Sequence, residues 1–348
     1  MATRVLVTDD SPLLRRVLLD MLTEGGMEVV GEARDGIELV DKAKALRPDV
    51  ITLDVEMPRR NGLEGLRVLM AECPTPVVMV STLTGEGTTA TAEALSSGAV
   101  DAVCKPAMRL SPEAWGPARD QLLRAVRGAA GARVRGLSRT PAPARPGAAL
   151  AGRAGAPGGP LVVIACSTGG PRALQAVVPR LPERLGAGVL IVQHMPEGFT
   201  ASLAKRLDAD SRLTVREAAD SDGIRPGTAL IARAGNHLEV TSRERVRLTS
   251  TPPIGALRPR ADVTIESASK HFGRSLVIVV LTGMGDDGLA GCRVAKPAGA
   301  HILAEDESSA VVWGMPGAVA TAGLTDALVP LEAIPLALAE MVATVAAR

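Results

Sequence analysis

Short aliphatic runs that end abruptly in a polar cluster and give way to a helical pattern recur along this 348-residue chain. Such runs read as parallel strands buried on both faces. Strand alternating with helix narrows the fold to parallel α/β sheets, in which right-handed crossovers carry the chain between strands. Sheets of this class bind ligands outside the carboxyl ends of their strands. The residues that follow each aliphatic run are therefore the candidates for chemistry.

The first series covers residues 1–127. Strand patterns at 4–8, 28–31, 50–53, 76–80 and 100–104 alternate with helical ones, the last at 112–126. The expectation is a doubly wound, flavodoxin-like sheet. Asp9 and Asp10 follow its first strand, Asp54 its third, Ser81 its fourth and Lys105 its fifth. One such Asp is ordinarily a loop cap. Three carboxylates converging at one sheet edge repel each other unless a hard cation joins them. Mg²⁺ with a phosphoryl group accounts for the set. Asp9, Asp10 and Asp54 would hold the metal and Asp54 would attack phosphorus. Lys105 would neutralise charge and Ser81 would donate to a phosphoryl oxygen.

Residues 128–159 are mostly Ala, Gly, Pro and Arg, with no acidic residue and no hydrophobic period. They read as a linker, part flexible and part stiffened by proline. Its arginines, Arg133, Arg135, Arg139, Arg145 and Arg153, read as solvated.

From residue 160 to 348 the alternation resumes, and a second, mostly parallel α/β domain is expected. The run LVVIA ends in Cys166-Ser167-Thr168-Gly169-Gly170-Pro171, a strand, a tight turn and a helix start. Ser167 there is either a helix cap or a nucleophile whose oxyanion is held by backbone donors. GVLIVQ runs into His194, and the strand at 276–281 runs into TGMGDDG with Asp286 and Asp287. A serine, a base and an acid can thus meet at one sheet edge. The segment 212–249 reads as a β-rich excursion, and 331–347 as an amphipathic helix packed on a core. The rival reading is a dinucleotide fingerprint, since Gly283 to Gly288 spell G-x-G-x-x-G with Glu305 and Asp306 about twenty residues on. Against it, several strands precede the motif, and two aspartates would face a pyrophosphate.

Composition removes other classes. Lys plus Arg total 39 against 38 Asp plus Glu, so no bulk charge favours nucleic acid or an anionic membrane. Two Phe, two Trp and no Tyr leave few platforms for stacking bases. The four cysteines form no C-x-x-C and no zinc spacing. With no signal peptide in the sequence, reduced thiols in a cytoplasmic protein are the simplest reading. The apolar runs are too short for membrane insertion.

VTDDSP, TLDVEMPRRNG, VVMVST and VCKP, in this order, resemble a response-regulator receiver domain. The resemblance implies phosphorylation of Asp54 by a histidine kinase, and a cis peptide before Pro106. It departs at Ala102, where receivers commonly carry an aromatic ring. Asn61, more often Asp, sits in a turn. ACSTGGP, QHMPEGFT, LTGMGDDGLAG and AEDESSAVVWGMP resemble the catalytic domain of chemotaxis protein-glutamate methylesterases (CheB). That family implies Ser167 as nucleophile, His194 as base and Asp287 as acid, with Thr168 and the backbone around Met284 supporting the oxyanion. It also implies hydrolysis of glutamate γ-methyl esters on chemoreceptors and deamidation of specific glutamines, with no cofactor for hydrolysis. Departures are Cys166, more often Ala, and Pro297, which should stop the preceding helix early. A receiver on a flexible linker suggests control by occlusion of the Ser167 site until Asp54 is phosphorylated.

Overall fold

The structure is a computed structural model and describes residues 2–82, 85–106, 116–132, 134 and 159–347, with 85–88 as backbone alone. Two compact units, Met1–Thr140 and Pro141–Arg348, divide the chain.

In the first unit β1 (Arg4–Thr8), β2 (Glu28–Ala33), β3 (Val50–Asp54), β4 (Val77–Ser81) and β5 (Asp101–Cys104) alternate with helices. These are α1 (Pro12–Glu24), α2 (Gly36–Leu46), α3 (Gly62–Glu72), α4 (Gly85–Ser96) and α5 (Gly116–Ala130). The sheet is parallel with order β2-β1-β3-β4-β5, so the direction of winding reverses between β1 and β3. Side-chain caps open three of these helices. Ser11 accepts the Leu14 N–H ahead of Pro12, Asp35 accepts those of Ile37 and Glu38, and Asn61 accepts that of Glu64. Asn61 therefore serves as an N-cap, which explains why amide replaces acid there without harm.

Two expectations need correction here. The cis peptide before Pro106 is not found, and the cis bond among the described residues is Arg258–Pro259. The trans preference of an X–Pro bond is only about 0.5–1 kcal/mol, so residue type alone does not set the isomer. Helix α5 also runs past Val126 through Gly128, Ala129 and Ala130, inside the stretch read as linker. Ala129 packs in the core and alanine is the best helix former, so the helix continues until its buried face ends. The linker arginines lie outside the described residues.

In the second unit the chain runs β6 (Leu161–Cys166), α6 (Gly170–Val177), β7 (Gly188–Gln193), α7 (Phe199–Asp210), β8 (Thr214–Glu217) and β9 (Thr228–Ile231). It continues β10 (His237–Val240), β11 (Val246–Thr249), α8 (Ala261–Phe272), β12 (Leu276–Val280), α9 (Leu289–Ala295) and β13 (His301–Glu305). It closes with α10 (Met315–Thr321), β14 (Ala327–Val329) and α11 (Ile334–Ala346). Seven strands form one parallel sheet, order β14-β13-β12-β6-β7-β9-β8. The 212–249 excursion is thus only partly separate. Strands β8 and β9 join the main sheet, while β10 and β11 make an antiparallel pair of their own. Every residue of β6, β7 and β12 is buried. Val162 and Ile164 pack with α6, α7 and α11 on one face, and Leu161, Val163 and Ala165 with α8, α9 and α10 on the other. Helix α9 ends before Pro297, as the proline requires.

Where the two winding directions meet in the first unit, space is tight. A Cβ on Gly62 would collide with the Asp54 carbonyl oxygen and lie 3.0 Å from the Val55 Cα. Gly62→Ala is therefore expected to cost on the order of 1–3 kcal/mol through backbone displacement. Calorimetry of the full chain should show the transition of the first unit lowered by roughly 5 °C or more. An unchanged transition would mean that the 54–62 backbone gives way freely.

Candidate active site

Parallel pairing at the centre of the seven-stranded sheet sets the geometry. Cys166 pairs with Gln193 and Ala165 with Val280, so Ser167, His194 and Thr282 follow three adjacent strand ends. The Ser167 N–H donates to the Thr282 carbonyl at 3.0 Å, and the His194 N–H to the Cys166 carbonyl at 3.2 Å. Gly169 takes φ 79°, a left-handed turn that glycine adopts without a steric cost, and α6 starts at once. Ser167 thus ends a strand rather than capping the helix with its side chain; no side-chain cap bond is made to α6.

His194 Nε2 lies 2.7 Å from Asp287 Oδ2, and both side chains are nearly buried. This leaves Nδ1 as the ring nitrogen for a second partner. The Ser167 hydroxyl makes no hydrogen bond to His194 here; such bonds are commonly long before substrate arrives. Asp287 also accepts the backbone N–H groups of Ala261 at 2.7 Å and Asp262 at 3.0 Å. Burial works to raise its pKa. The hydrogen bond and charge of His194, then the two N–H groups, outweigh burial and hold it down at about 2. Asp286 is exposed, so only the second aspartate of the pair reaches the histidine.

Met284 follows Gly283 on the turn after β12, and its N–H has no hydrogen-bond partner among the described residues. Gly283 is fixed by Val312, whose carbonyl accepts its N–H at 3.0 Å, and by Met315, which donates to its carbonyl at 2.8 Å. A Cβ on Gly283 would collide with Met315 Sδ and lie 2.9 Å from Ser167 Cβ. Thr168 is buried on the opposite turn, and its carbonyl accepts the Thr282 hydroxyl at 2.9 Å. The turn residues assigned to the oxyanion therefore lie on the two loops flanking Ser167.

The same geometry overturns the dinucleotide reading. Glu305 is fully buried and its carboxylate accepts the Thr282 N–H at 2.8 Å and the Ser309 hydroxyl at 3.0 Å. It braces the turn at Thr282 and is not presented to a ribose. The remaining histidines stay out of the site: His237 is buried at the start of β10, and His271 and His301 sit near the end of α8 and at the start of β13.

Several residues in this arrangement carried no local sequence signal. Arg260 lies 3.3 Å from Asp287 Oδ1 and grips Asp262 Oδ2 through Nε and Nη2 at 3.0 and 2.9 Å. Asp262 in turn accepts the N–H groups of Gly288 and Gly291 at 2.8 Å each, anchoring the loop that carries Asp287. Gln193, the last residue of β7, is buried beside Ser167 and His194. Only its place before His194 at a strand end could have drawn attention to it.

In the first unit the strand ends meet at the winding reversal. Asp9, Asp10 and Asp54 each offer an oxygen within 4.8 Å of the others. Lys105 Nζ lies 2.7 Å from Asp54 Oδ2 and 3.1 Å from Asp9 Oδ2. Ser81 is buried at the end of β4, and its carbonyl accepts the Lys105 N–H at 2.8 Å. The donor set is all oxygen, and the buried Asp9 Oδ2 and Asp54 Oδ2 have the single Lys105 ammonium to share between them. These residues fit a hard divalent cation such as Mg²⁺. Burial raises the Asp54 pKa to about 6; the Lys105 contact opposes this and the Asp9 charge adds to it. For Lys105, burial is outweighed by the Asp54 and Asp9 contacts, and its pKa is raised. Ala102 is buried in β5 and supplies no ring.

The raised Asp54 pKa has a sign that can be read thermally. A proton on Asp54 favours the folded state, so ionisation costs stability progressively as pH rises from about 4 to about 6. Without divalent metal, Asp54→Asn should raise the melting temperature of the first unit at pH 7 and have much less effect near pH 4. An equal gain at both pH values would place the effect elsewhere.

Comparison with known proteins finds relatives of both units. The CheB methylesterase family model matches residues 162–338, and the response regulator receiver domain model matches residues 5–111. A protein-glutamate methylesterase/protein-glutamine glutaminase of Pyrococcus abyssi is 44% identical over 337 residues, spanning 95% of this chain and 91% of that protein. One of the same name from Symbiobacterium thermophilum is 47% identical over 343 residues, spanning 95% and 94%. The crystal structure of the Thermotoga maritima CheB methylesterase catalytic domain is 41% identical with a TM-score of 0.51, covering 53% of this chain and 98% of that one. Two parallel sheets with their polar residues gathered at the strand ends, and relatives of this identity along nearly the full length, place the chain in the CheB methylesterase family, in the form that also carries a response-regulator receiver domain.

Proposed function

We propose that the chain hydrolyses glutamate γ-methyl esters on chemoreceptor cytoplasmic domains, releasing methanol, and deamidates specific receptor glutamines in chemotaxis adaptation. The observation that carries this reading is the 2.7 Å His194–Asp287 pair beside Ser167, at the ends of β7 and β6. Asp287 holds the imidazole by Nε2 and stabilises its charged form. Ser167 Oγ attacks the ester carbonyl carbon and its proton passes to His194 Nδ1. The tetrahedral oxyanion is stabilised by the turns of Thr168 and Met284. Collapse breaks the bond to the methoxy oxygen, which leaves as methanol with the proton from His194. Water then attacks the acyl-serine, again giving a proton to His194; collapse breaks the bond to Ser167 Oγ, which takes that proton back, and the glutamate side chain departs as its carboxylate with release of a proton to solvent. With a glutamine side chain, the same steps release ammonia. Hydrolysis on this route needs no cofactor.

The proposed control is phosphorylation of Asp54 by a histidine kinase, within a cytoplasmic chain. Among the described residues no helix is long and apolar enough to cross a membrane. Asp9, Asp10 and Asp54 would hold Mg²⁺, which supplies charge neutralisation for an incoming phosphoryl group. Lys105 neutralises further charge, and Ser81 donates to a phosphoryl oxygen. We assign domains 1–127 and 160–348 to these two activities, with 128–159 between them.

Ser167→Ala is expected to lower kcat for methanol release at least about 10³-fold with the melting profile unchanged. Asp287→Asn should cost roughly 10²- to 10⁴-fold, through the wrong histidine tautomer. Asp286→Asn should stay within about threefold, as for a surface change. A larger loss at Asp286 than at Asp287 would reverse the assignment of the acid.

For the receiver, initial rates of the full chain on methylated receptor fragments decide. Acetyl phosphate with Mg²⁺ should accelerate wild type and leave Asp54→Asn unaffected. Equal acceleration of both would mean that the phosphodonor acts at another site.

A further inference from the structure

We infer that Gln193 is a positioning residue that locks the nucleophile turn to the base, and that Gly170 lacks a side chain in order to admit its amide. This rests on the ester-hydrolase reading of the same site.

Gln193 is fully buried at the end of β7. Its Nε2 donates to two carbonyls at once, that of Ser167 at 3.0 Å and that of His194 at 2.9 Å. Both amide hydrogens are thereby spent on the two residues whose side chains must exchange a proton. Its Oε1 lies 3.0 Å from the Cys166 Sγ. The Cys166 thiol is wholly buried, which pushes its pKa up and keeps it an S–H donor. That donor favours the amide orientation in which Nε2 faces the two carbonyls. Every polar atom of the side chain is thus engaged, so burying it leaves no uncompensated group.

The effect on chemistry follows from the planarity of the peptide unit. In a trans peptide the C=O and the following N–H point in opposite directions. The Ser167 carbonyl is held from one side by Gln193 and by the Gly170 N–H at 2.7 Å. Pinning it fixes the direction of the Thr168 N–H, on the turn assigned to the oxyanion. The His194 carbonyl is held by the same amide, so the peptide unit that follows the base is fixed relative to the turn that follows the nucleophile. Without the clamp, the cross-strand link that remains between Cys166 and His194 is one bond of 3.2 Å.

Gly170 supplies independent support. Its backbone is not in the left-handed region that demands glycine, unlike Gly169. A Cβ there would nevertheless collide with Gln193 Oε1 and lie 2.9 Å from Gln193 Cδ. The second glycine of the STGG turn is therefore explained by the space that the amide occupies.

A double-mutant cycle on the full chain tests the clamp, reading methanol release from methylated receptor fragments and labelling of Ser167 by a fluorophosphonate, which needs no receptor. Gln193→Met and Gly170→Ala should each lower kcat and the labelling rate by roughly 10- to 100-fold, with KM within about threefold. The double variant should lose no more than the worse single one, because both changes displace the same amide. Cys166→Ala, which keeps the amide but removes its orienting donor, should lose less than either. Leu207→Ala, a core truncation in α7, should lower the melting temperature but leave kcat within about threefold. Wild-type labelling rates in Gln193→Met, losses that multiply in the double variant, or an equal kcat loss in Leu207→Ala would each overturn the inference. Normal labelling of wild type without methanol release would instead count against the methylesterase reading and leave the labelling cycle to judge the clamp.

Discussion

Parallel pairing of β6 with β7 on one side and β12 on the other is the constraint on which the catalytic unit depends. Ser167, His194 and the Thr282 turn are far apart in sequence. They become neighbours because three strands end together in fixed register. A one-residue slip in any of these pairings would turn its residues to the opposite face of the sheet. The run of aliphatic residues buried on both faces holds the register. The hydrophobic core is therefore what brings the polar groups into line, and buried polar side chains such as Asp262 and Glu305 then fix the turns that carry them.

The two units handle buried carboxylates in opposite ways. Asp287 is surrounded by donors, from His194, Ala261, Asp262 and Arg260, and stays ionised. A fixed negative charge is what an imidazole needs in order to accept a proton. Asp54 sits beside Asp9 with Lys105 as its counter-charge, and burial pushes its pKa up. Its charge is therefore poorly compensated by the protein alone. One site is built to keep its charge and the other to be relieved of it.

The strand ends were legible in the sequence because each aliphatic run stops at a polar residue. Ser167, His194, Asp9, Asp54 and Lys105 could be placed at sheet edges on that ground alone. Spacing does not choose between Asp286 and Asp287; resemblance implies Asp287, which is the aspartate that pairs with His194 at 2.7 Å. Arg260, Asp262, Gln193 and Glu305 were illegible for a common reason. Each acts by hydrogen bonds to backbone groups brought close only by tertiary structure, and a buried Gln or Glu looks locally like any other strand-end residue. Resemblance implies the wrong peptide isomer before Pro106, and composition ends α5 too early because Gly and Ala also suit a linker. Proximity of Gly283 to Glu305 in sequence suggested a nucleotide site, whereas in three dimensions Glu305 is a brace beneath the turn.

The glycines at these sites limit how the protein can diverge. Gly62 lies against the Asp54 backbone, Gly170 against the Gln193 amide, and Gly283 between Met315 and Ser167. Each is a place where another residue already occupies the room that a methyl group would take. Even alanine, the smallest step available to mutation, meets an obstacle there. At Gly170 and Gly283 the obstacle is a side chain, so drift needs a second change at a residue that the site also uses; at Gly62 it is the Asp54 backbone, which no substitution removes. Lineages of this fold should accordingly diversify along the helices and at the amino-terminal ends of the strands, while the turns above the sheet remain closed to gradual exploration.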